Sequence, residues 1–281
     1  MRYNLLILIL LSVVLPCKAI EKEATQFNSV NSSHLFTIGS RSTWDSYLSP
    51  SSYKGTNLGY LYDQMKLSEA HKHISYQSLF RIDLSKMENK AGNGEMWSGF
   101  LTYRWGAHYR WQIDPSLQLL GGALMGGTIG GLYNIRNSNN PAQAKINLGL
   151  SLSGIALYKV RIGNYPIHFR YQINLPTVGF TFSPHYGQSY YEIFTLGNDK
   201  GVYLVSSPHN LFELENMFSA EIPFNCVTLR LGFSNTYLRS TIHQLETQIN
   251  CNSFFIGFVK EGLFFSGKKR IKPAGYHSPV Y

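Results

Sequence analysis

The sequence has few charged residues, few cysteines and, beyond its first twenty residues, no long apolar run. Charged side chains make up 15% of the 281 residues, against roughly 25% in soluble domains. Three cysteines are too few for a disulfide-stapled scaffold. No later stretch is apolar for the ~20 residues a membrane-spanning helix needs. No block of lysine and arginine precedes the tail, so the net charge of +9 does not form a nucleic-acid-binding surface. What is abundant is 25 Gly, 19 Tyr and 44% hydrophobic residues, too much apolar and aromatic material for a disordered chain.

Residues 1–19 read as a signal peptide. Arg2 gives a basic start, Leu5 to Leu15 is apolar apart from Ser12, and Cys17-Lys18-Ala19 ends in small residues, with cleavage expected after Ala19. Pro16 before Cys17 fits lipoprotein processing poorly. Cleavage removes Arg2 and Lys18 and lowers the net charge from +9 to +7. Residues 20–267 are read as one domain and 268–281 as a basic tail, expected to be disordered.

Period-two alternation dominates that domain. From Trp97 to Ile113 the odd positions are mainly apolar or aromatic, whereas Arg104, His108, Arg110 and Gln112 stand at even positions. The same pattern recurs over 74–84, 144–162, 167–175, 211–222 and 227–238, with weaker strand patterns at 34–40, 57–67 and 252–264. Such lengths exceed the five or six residues of ordinary strands. Tight turns at 114–116, 163–166 and 223–225 alternate with longer polar segments at 41–56, 86–95, 134–143, 183–209 and 239–250. That long–short rhythm, with aromatics toward strand ends, predicts an all-β fold: a closed antiparallel up-and-down transmembrane β-barrel. The count is ten strands, or twelve if 183–209 hides a hairpin. Backbone groups in hydrocarbon must all be paired, so the last strand has to meet the first. The apolar stripe bearing Trp97, Leu101, Leu148 and Leu231 then faces lipid. On this topology Cys226 and Cys251 begin strands at opposite ends of the barrel, far beyond the ~7 Å limit for a disulfide, so both thiols are expected unpaired.

Tyr47-Leu48-Ser49-Pro50-Ser51-Ser52-Tyr53-Lys54-Gly55 and Ile256-Gly257-Phe258-Val259-Lys260-Glu261 resemble motifs of an uncharacterised family of Bacteroidetes outer-membrane barrels, domain of unknown function 3316. The resemblance implies the compartment and the barrel form, and supplies no activity and no catalytic residues.

The inward stripe carries the candidate chemistry: Arg81, Asp83, Arg104, His108, Arg110, Lys145, Lys159, Arg161, His168, Arg170, Glu213, Glu215, Glu221 and Arg230. Eight cations against four carboxylates leave a basic lumen. Ten strands lie near the limit at which side chains fill a barrel, so a salt-bridged plug is the first reading. A narrow anion-preferring pore is the second, because surplus positive charge lowers the barrier for anions. A barrel-embedded lipid-modifying enzyme is the third. His185, Ser189, Asp199, His209 and His243 sit on or beside the long loops, but no motif orders them, so the enzyme question is left open, leaning to none. Tyr47, Tyr53, Tyr186, Tyr190, Tyr191 and Tyr203 are the loop candidates for contact with a glycan or protein, since tyrosine gives large contact area at low entropic cost. His71-Lys72-His73 lacks a third ligand at fixed spacing, so no metal is assigned, and no cofactor. The glycines of 121–131 lack the Lys-Ser/Thr of a phosphate loop and are read as room for the bulky strand beside them. The expected partners are outer-membrane lipid and the barrel assembly machinery, in the outer membrane of a Gram-negative bacterium.

Overall fold

The computed structural model describes residues 28–264, except 69, 70, 72, 139, 164, 225 and 226. The leader, the basic tail, Lys72 and Cys226 lie outside the described residues. In chain order the elements are β1 (Asn28–Asp45), β2 (Tyr53–Leu67), β3 (Ile74–Asn89), β4 (Glu95–Gln112), β5 (Leu117–Asn134), β6 (Ala142–Ile162) and β7 (Tyr165–Phe182). A one-turn helix α1 (Tyr190–Phe194) follows, then β8 (Tyr203–Ser206), β9 (Leu211–Phe224), β10 (Val227–Ile242) and β11 (Leu245–Phe264).

Every strand pairs antiparallel with its neighbour, and β1 pairs with β11 from Asn28↔Phe264 to Asp45↔Thr247. Ten strands therefore close a transmembrane β-barrel, the last meeting the first. The four-residue β8 pairs only with the end of β7 and adds no staves, so the twelve-strand alternative does not hold.

The alternation sorts the faces. Trp97, Leu101, Leu148 and Leu231 are all exposed on the outer wall, as are Phe36, Ile38, Met125, Ile129, Leu150, Leu152, Phe254 and Ile256. So much exposed apolar surface marks contact with lipid rather than water. Near the short turns the outer face carries Tyr76, Tyr109, Trp111 and Tyr158, and Tyr76 stacks on Trp105 at 6.2 Å. Rings with a polar tip belong at the headgroup level.

The connections β2–β3, β4–β5, β6–β7 and β9–β10, each of six residues or fewer, lie at one rim, called here the short-turn rim. At the opposite rim the strands run further than the alternation suggested. The segment 41–56 shrinks to a connection of 46–52, and 86–95 to 90–94. The supposed loop 239–250 is almost wholly strand, closed by His243 and Gln244 at φ 54° and 62°. Two successive positive φ values make the tight primed turn that suits the right-handed twist of a hairpin. Cys251 consequently sits inside β11, not at its start; it is free and buried.

Between β6 and β7 the register shifts. Leu150 faces Val178, Ser151 faces Pro176, and Thr177 is the extra residue. Proline has no N–H for the ladder, which within a sheet suits it to strand ends, edges and such bulges. Past the bulge the outward phase of β7 changes from Tyr171 and Ile173 to Val178 and Phe180.

Candidate functional site

In a ring of ten, strands five places apart face one another. Three ion pairs span that diameter. Arg170 on β7 reaches Asp63 on β2 at 2.8 Å, Arg81 on β3 reaches Glu215 on β9 at 3.3 Å, and Lys145 on β6 reaches Asp45 on β1 at 2.7 Å.

The layer nearest the short turns is the driest. Asp63 accepts from Arg170 Nη1, from Arg230 Nη1 at 2.9 Å and from Gln77 Nε2 at 2.7 Å. Arg230 Nε donates to Glu221 Oε1 at 2.6 Å, and Arg170 Nη2 donates to Gln172 Oε1 at 2.6 Å. Asp63, Arg170, Arg230 and Glu221 are each at most 1% exposed. One carboxylate held by two guanidinium groups offsets the desolvation that buried charge otherwise costs. His108 joins through Ser153 at 2.9 Å.

In the middle layer Arg104 reaches Glu213 at 3.3 Å and Glu215 at 3.0 Å, and donates to Ser151 at 2.8 Å. Arg81 pairs with Asp83 at 3.0 Å. Arg41 lies 3.9 Å from Asp83 and 4.7 Å over the Phe100 ring. The glycines of β5 make this possible. Gly122, Gly126 and Gly130 stand opposite His108, Arg104 and Phe100, and a Cβ on Gly126 would lie 2.0 Å from the Tyr103 carbonyl oxygen.

The layer nearest the long loops is looser. Lys145 also donates to Thr247 at 2.8 Å, whose hydroxyl donates to Asp45 at 2.8 Å. Between this strut and the middle layer lies a cavity of about 50 Å³, lined in part by Gln143, Lys145, Glu213, Leu238 and Ile249. Glu213 Oε2 and Gln143 Oε1 are buried there without a protein partner. At ~10–15 Å³ per water, the space has room for a few waters. It is not a channel.

Six cations (Arg41, Arg81, Arg104, Lys145, Arg170 and Arg230) thus meet six carboxylates (Asp45, Asp63, Asp83, Glu213, Glu215 and Glu221) inside the barrel. These twelve groups balance one another, so the excess of cations expected for the lumen is not spread along its length. The surplus cations lie at the short-turn mouth. Lys159 and Arg161 are exposed, Arg110 is half-buried and donates to Gln118 at 2.8 Å, and His168 is half-buried. Sequence reasoning missed Arg41, Asp45 and Asp63. The first two fell in the supposed loop 41–56, and Asp63 in a stretch apolar on both faces.

The long loops form a cap over the other mouth. Ser189 and Glu192 close a capping box on α1, and Ile193 packs with Phe182 and Val202. Tyr47 donates to the Gln188 carbonyl at 2.8 Å and meets the Tyr190 ring edge-on at 6.2 Å. The Tyr190 hydroxyl accepts from the Ala144 N–H at 2.6 Å, and burial pushes that phenol up to about 12. Burial, then the charges of Asp45 and Glu192, raises Tyr47 as well. Tyr53 is 2% exposed and accepts from Asn134 at 3.2 Å. These three tyrosines are therefore spent on holding the cap, whereas Tyr186, Tyr191 and Tyr203 are exposed.

Among the loop residues weighed for catalysis, two histidines meet. His185 stacks on His243 at 3.9 Å between ring centres, and their nitrogens face the Lys200 and Pro184 carbonyls. Ser189 is occupied as the helix cap. His209 pairs with Ser207, two residues away. At the short-turn rim His73 stacks on Tyr109.

Among solved structures, the chain is similar to the outer membrane protease OmpT from Escherichia coli, at 8% identity and a TM-score of 0.45, covering 85% of this chain and 99% of that one. It is also similar to the beta domain of the Bordetella autotransporter BrkA, at 13% identity and a TM-score of 0.41, covering 82% and 98%. An outer membrane channel from Pseudomonas putida matches at 8% identity and a TM-score of 0.36, covering 88% and 100%. No curated protein matches the sequence. The family described as "Protein of unknown function (DUF3316)" matches residues 3–269, and the chain belongs to that family.

Proposed function

We propose that the protein is a non-conducting outer-membrane barrel of a Gram-negative bacterium, a rigid scaffold that binds a glycan or protein through its capped outer end. The four short turns would face the periplasm and the cap the exterior, the usual disposition of such barrels. The observation that carries the reading is the set of three diameter-spanning ion pairs, Arg170–Asp63, Arg81–Glu215 and Lys145–Asp45. An ion crossing the lumen would have to break each in turn, at the cost of leaving buried charges uncompensated. Tyr186, Tyr191 and Tyr203, exposed on a cap held by other tyrosines, form the binding surface.

The alternative, an anion-preferring pore, draws on Arg110, Lys159 and Arg161 at the short-turn mouth, but these lead only to the closed layer around Asp63. Planar-bilayer recording on the refolded protein separates the two. A silent membrane is the expected result, and steady anion-selective steps would overturn it. Glycan-array binding then tests the cap, with Tyr191→Ala and Tyr203→Ala expected to weaken any captured glycan. Retention unchanged in both would remove these tyrosines from the reading.

A further inference from the structure

The wall between β7 and β9 is hydrogen-bonded for only part of its height. Pairing runs from His168↔Glu221 to Asn174↔Glu215 and stops there. Beyond it, Leu175, Pro176 and Val178 pair with β6 alone, and Leu211 to Leu214 with β10 alone. From Gly179 onward β7 takes β8 as its neighbour, ending at Phe182↔Tyr203. A break is left at the bulge, where Pro176 brings no N–H to a stretch without a second partner.

The break lies inside the lipid-facing stripe and not at its watery edge. Tyr171 and Ile173 are exposed on its short-turn side, Val178, Phe180 and Val205 on its loop side, and Leu148 beside it on β6. Hydrocarbon therefore meets it from outside. Backbone left unpaired toward acyl chains is costly, and bulges recur beside functional sites.

Behind the break the interior is open. A narrow crevice of about 10 Å³ is lined by Pro176 and Thr177 at the bulge and by Arg104 and Ser151 inside. Asn147 and Leu211 line both this crevice and the cavity beneath the cap, so the two adjoin. Phe100, Phe182, Leu238 and Ile249 make much of the cavity wall apolar. The cap, held by Tyr47 and Tyr190, covers the water side. On the loop side the break is closed by β8, through four residue pairs with β7 and a bond from Ser206 Oγ to Asn147 Oδ1 at 3.3 Å.

We propose that the break is a lateral portal, through which a single-chain amphiphile with a hydroxyl end enters the cavity from the membrane. A crevice with room for about one water suits one chain, not the paired chains of a phospholipid. The polar end follows from the groups left without partners along the way. Arg104 Nε, in the crevice, is a buried donor with no hydrogen-bond partner among the described residues, and Glu213 Oε2 and Gln143 Oε1 are such acceptors in the cavity. A hydroxyl both donates and accepts. A carboxylate would meet Glu213, and an ammonium would meet Arg104 and Lys145, like charge against like. Crevice and cavity both lie on the loop side of the layer around Asp63, so filling them opens no path for ions across the membrane.

The test uses the full chain refolded into liposomes containing a long-chain alcohol with a photoreactive diazirine at mid-chain. After irradiation, labelled peptides are mapped by mass spectrometry. Label on the outer wall, at Leu148 and Phe180, is the internal standard. The expected result is further label at the inward-facing Leu238 and Ile249, at least tenfold weaker for the methyl ether of the same alcohol. It should also be at least tenfold weaker in Leu211→Trp, which fills the step between crevice and cavity. Gel mobility with and without boiling reports whether each variant is a folded barrel. If Leu211→Trp does not fold, Gln143→Leu, which removes one acceptor and leaves the passage open, is read the same way. Label confined to the outer wall, equal cavity label from the ether, or undiminished cavity label in the folded variant would each overturn the proposal. None of these outcomes bears on the plugged lumen, which conductance tests by itself.

Discussion

The barrel is filled differently at its two ends. Toward the short turns, Asp63, Arg170, Arg230 and Glu221 are buried to within 1% and pair directly with one another. Toward the long loops, a strut with a partly exposed lysine spans a water-sized cavity beneath a cap of tyrosines. The difference shows which end carries rigidity and which can tolerate change. A charge stranded in the tight layer has no room for water beside it, whereas the cavity in the loose one has space for water to solvate what a lost side chain leaves behind.

The largest contrast should come from Asp63→Ala, which strands two guanidinium groups in the dry layer. A loss of about 3–5 kcal/mol is expected, read by guanidinium unfolding in micelles. A loss below 1 kcal/mol would mean that water reaches this layer. Next is Gly126→Ala on β5, at φ 150° and against the Tyr103 carbonyl. About 1–3 kcal/mol is expected from strain and displacement of Arg104. Lys145→Met should cost less, about 2 kcal/mol, because Asp45 keeps the Thr247 hydroxyl and the Tyr47 N–H. If it proved as damaging as Asp63→Ala, the two ends would not differ as described.

The smallest effect belongs to the cap. Tyr190→Phe removes the hydroxyl that accepts from Ala144, worth about 1 kcal/mol, seen as faster proteolysis within 183–210 with the barrel intact. The same phenol gives a pH test. Its folded pKa, pushed up to about 12, lies above the ordinary value of 10.0. The folded cap therefore keeps its proton where the free chain loses it, and the stabilisation present below pH 10 fades as pH rises toward 12. Proteolytic protection should fall across that window in the natural sequence and stay flatter in Tyr190→Phe.

The sequence reveals the membrane band well and the regions outside it poorly. Alternation identified the outward stripe through Trp97, Leu101, Leu148 and Leu231 because lipid on one side and charge on the other leave opposite residue types. Above the band the outer face meets water, Ser40, Ser42, Arg239 and Asn250 stand outward, and the contrast disappears. That is why 41–56 and 239–250 read as loops, and why Arg41 and Asp45 were missed. The turn at His243-Gln244 carries neither glycine nor asparagine despite its positive φ values. On β7 the bulge at Thr177 flips the phase, so the alternation seemed to stop at Leu175. Asp63 hid among Leu61, Tyr62 and Met65, apolar on both faces. The pairing across the lumen was legible only as a requirement that buried charges find partners; which strand faces which follows from closure.

The three struts join β2 to β7, β3 to β9 and β1 to β6, so each links a stave made early in synthesis to one made later. None can form in a half-built wall, because facing staves come together only when the sheet curls shut. An incomplete barrel consequently exposes a hydrated, charged concave surface beside a greasy convex one, and cannot be left among acyl chains in that state. Insertion and closure are thereby tied into a single event. The last stave, sealing against the first, expels the water and turns a row of solvated ions into rungs.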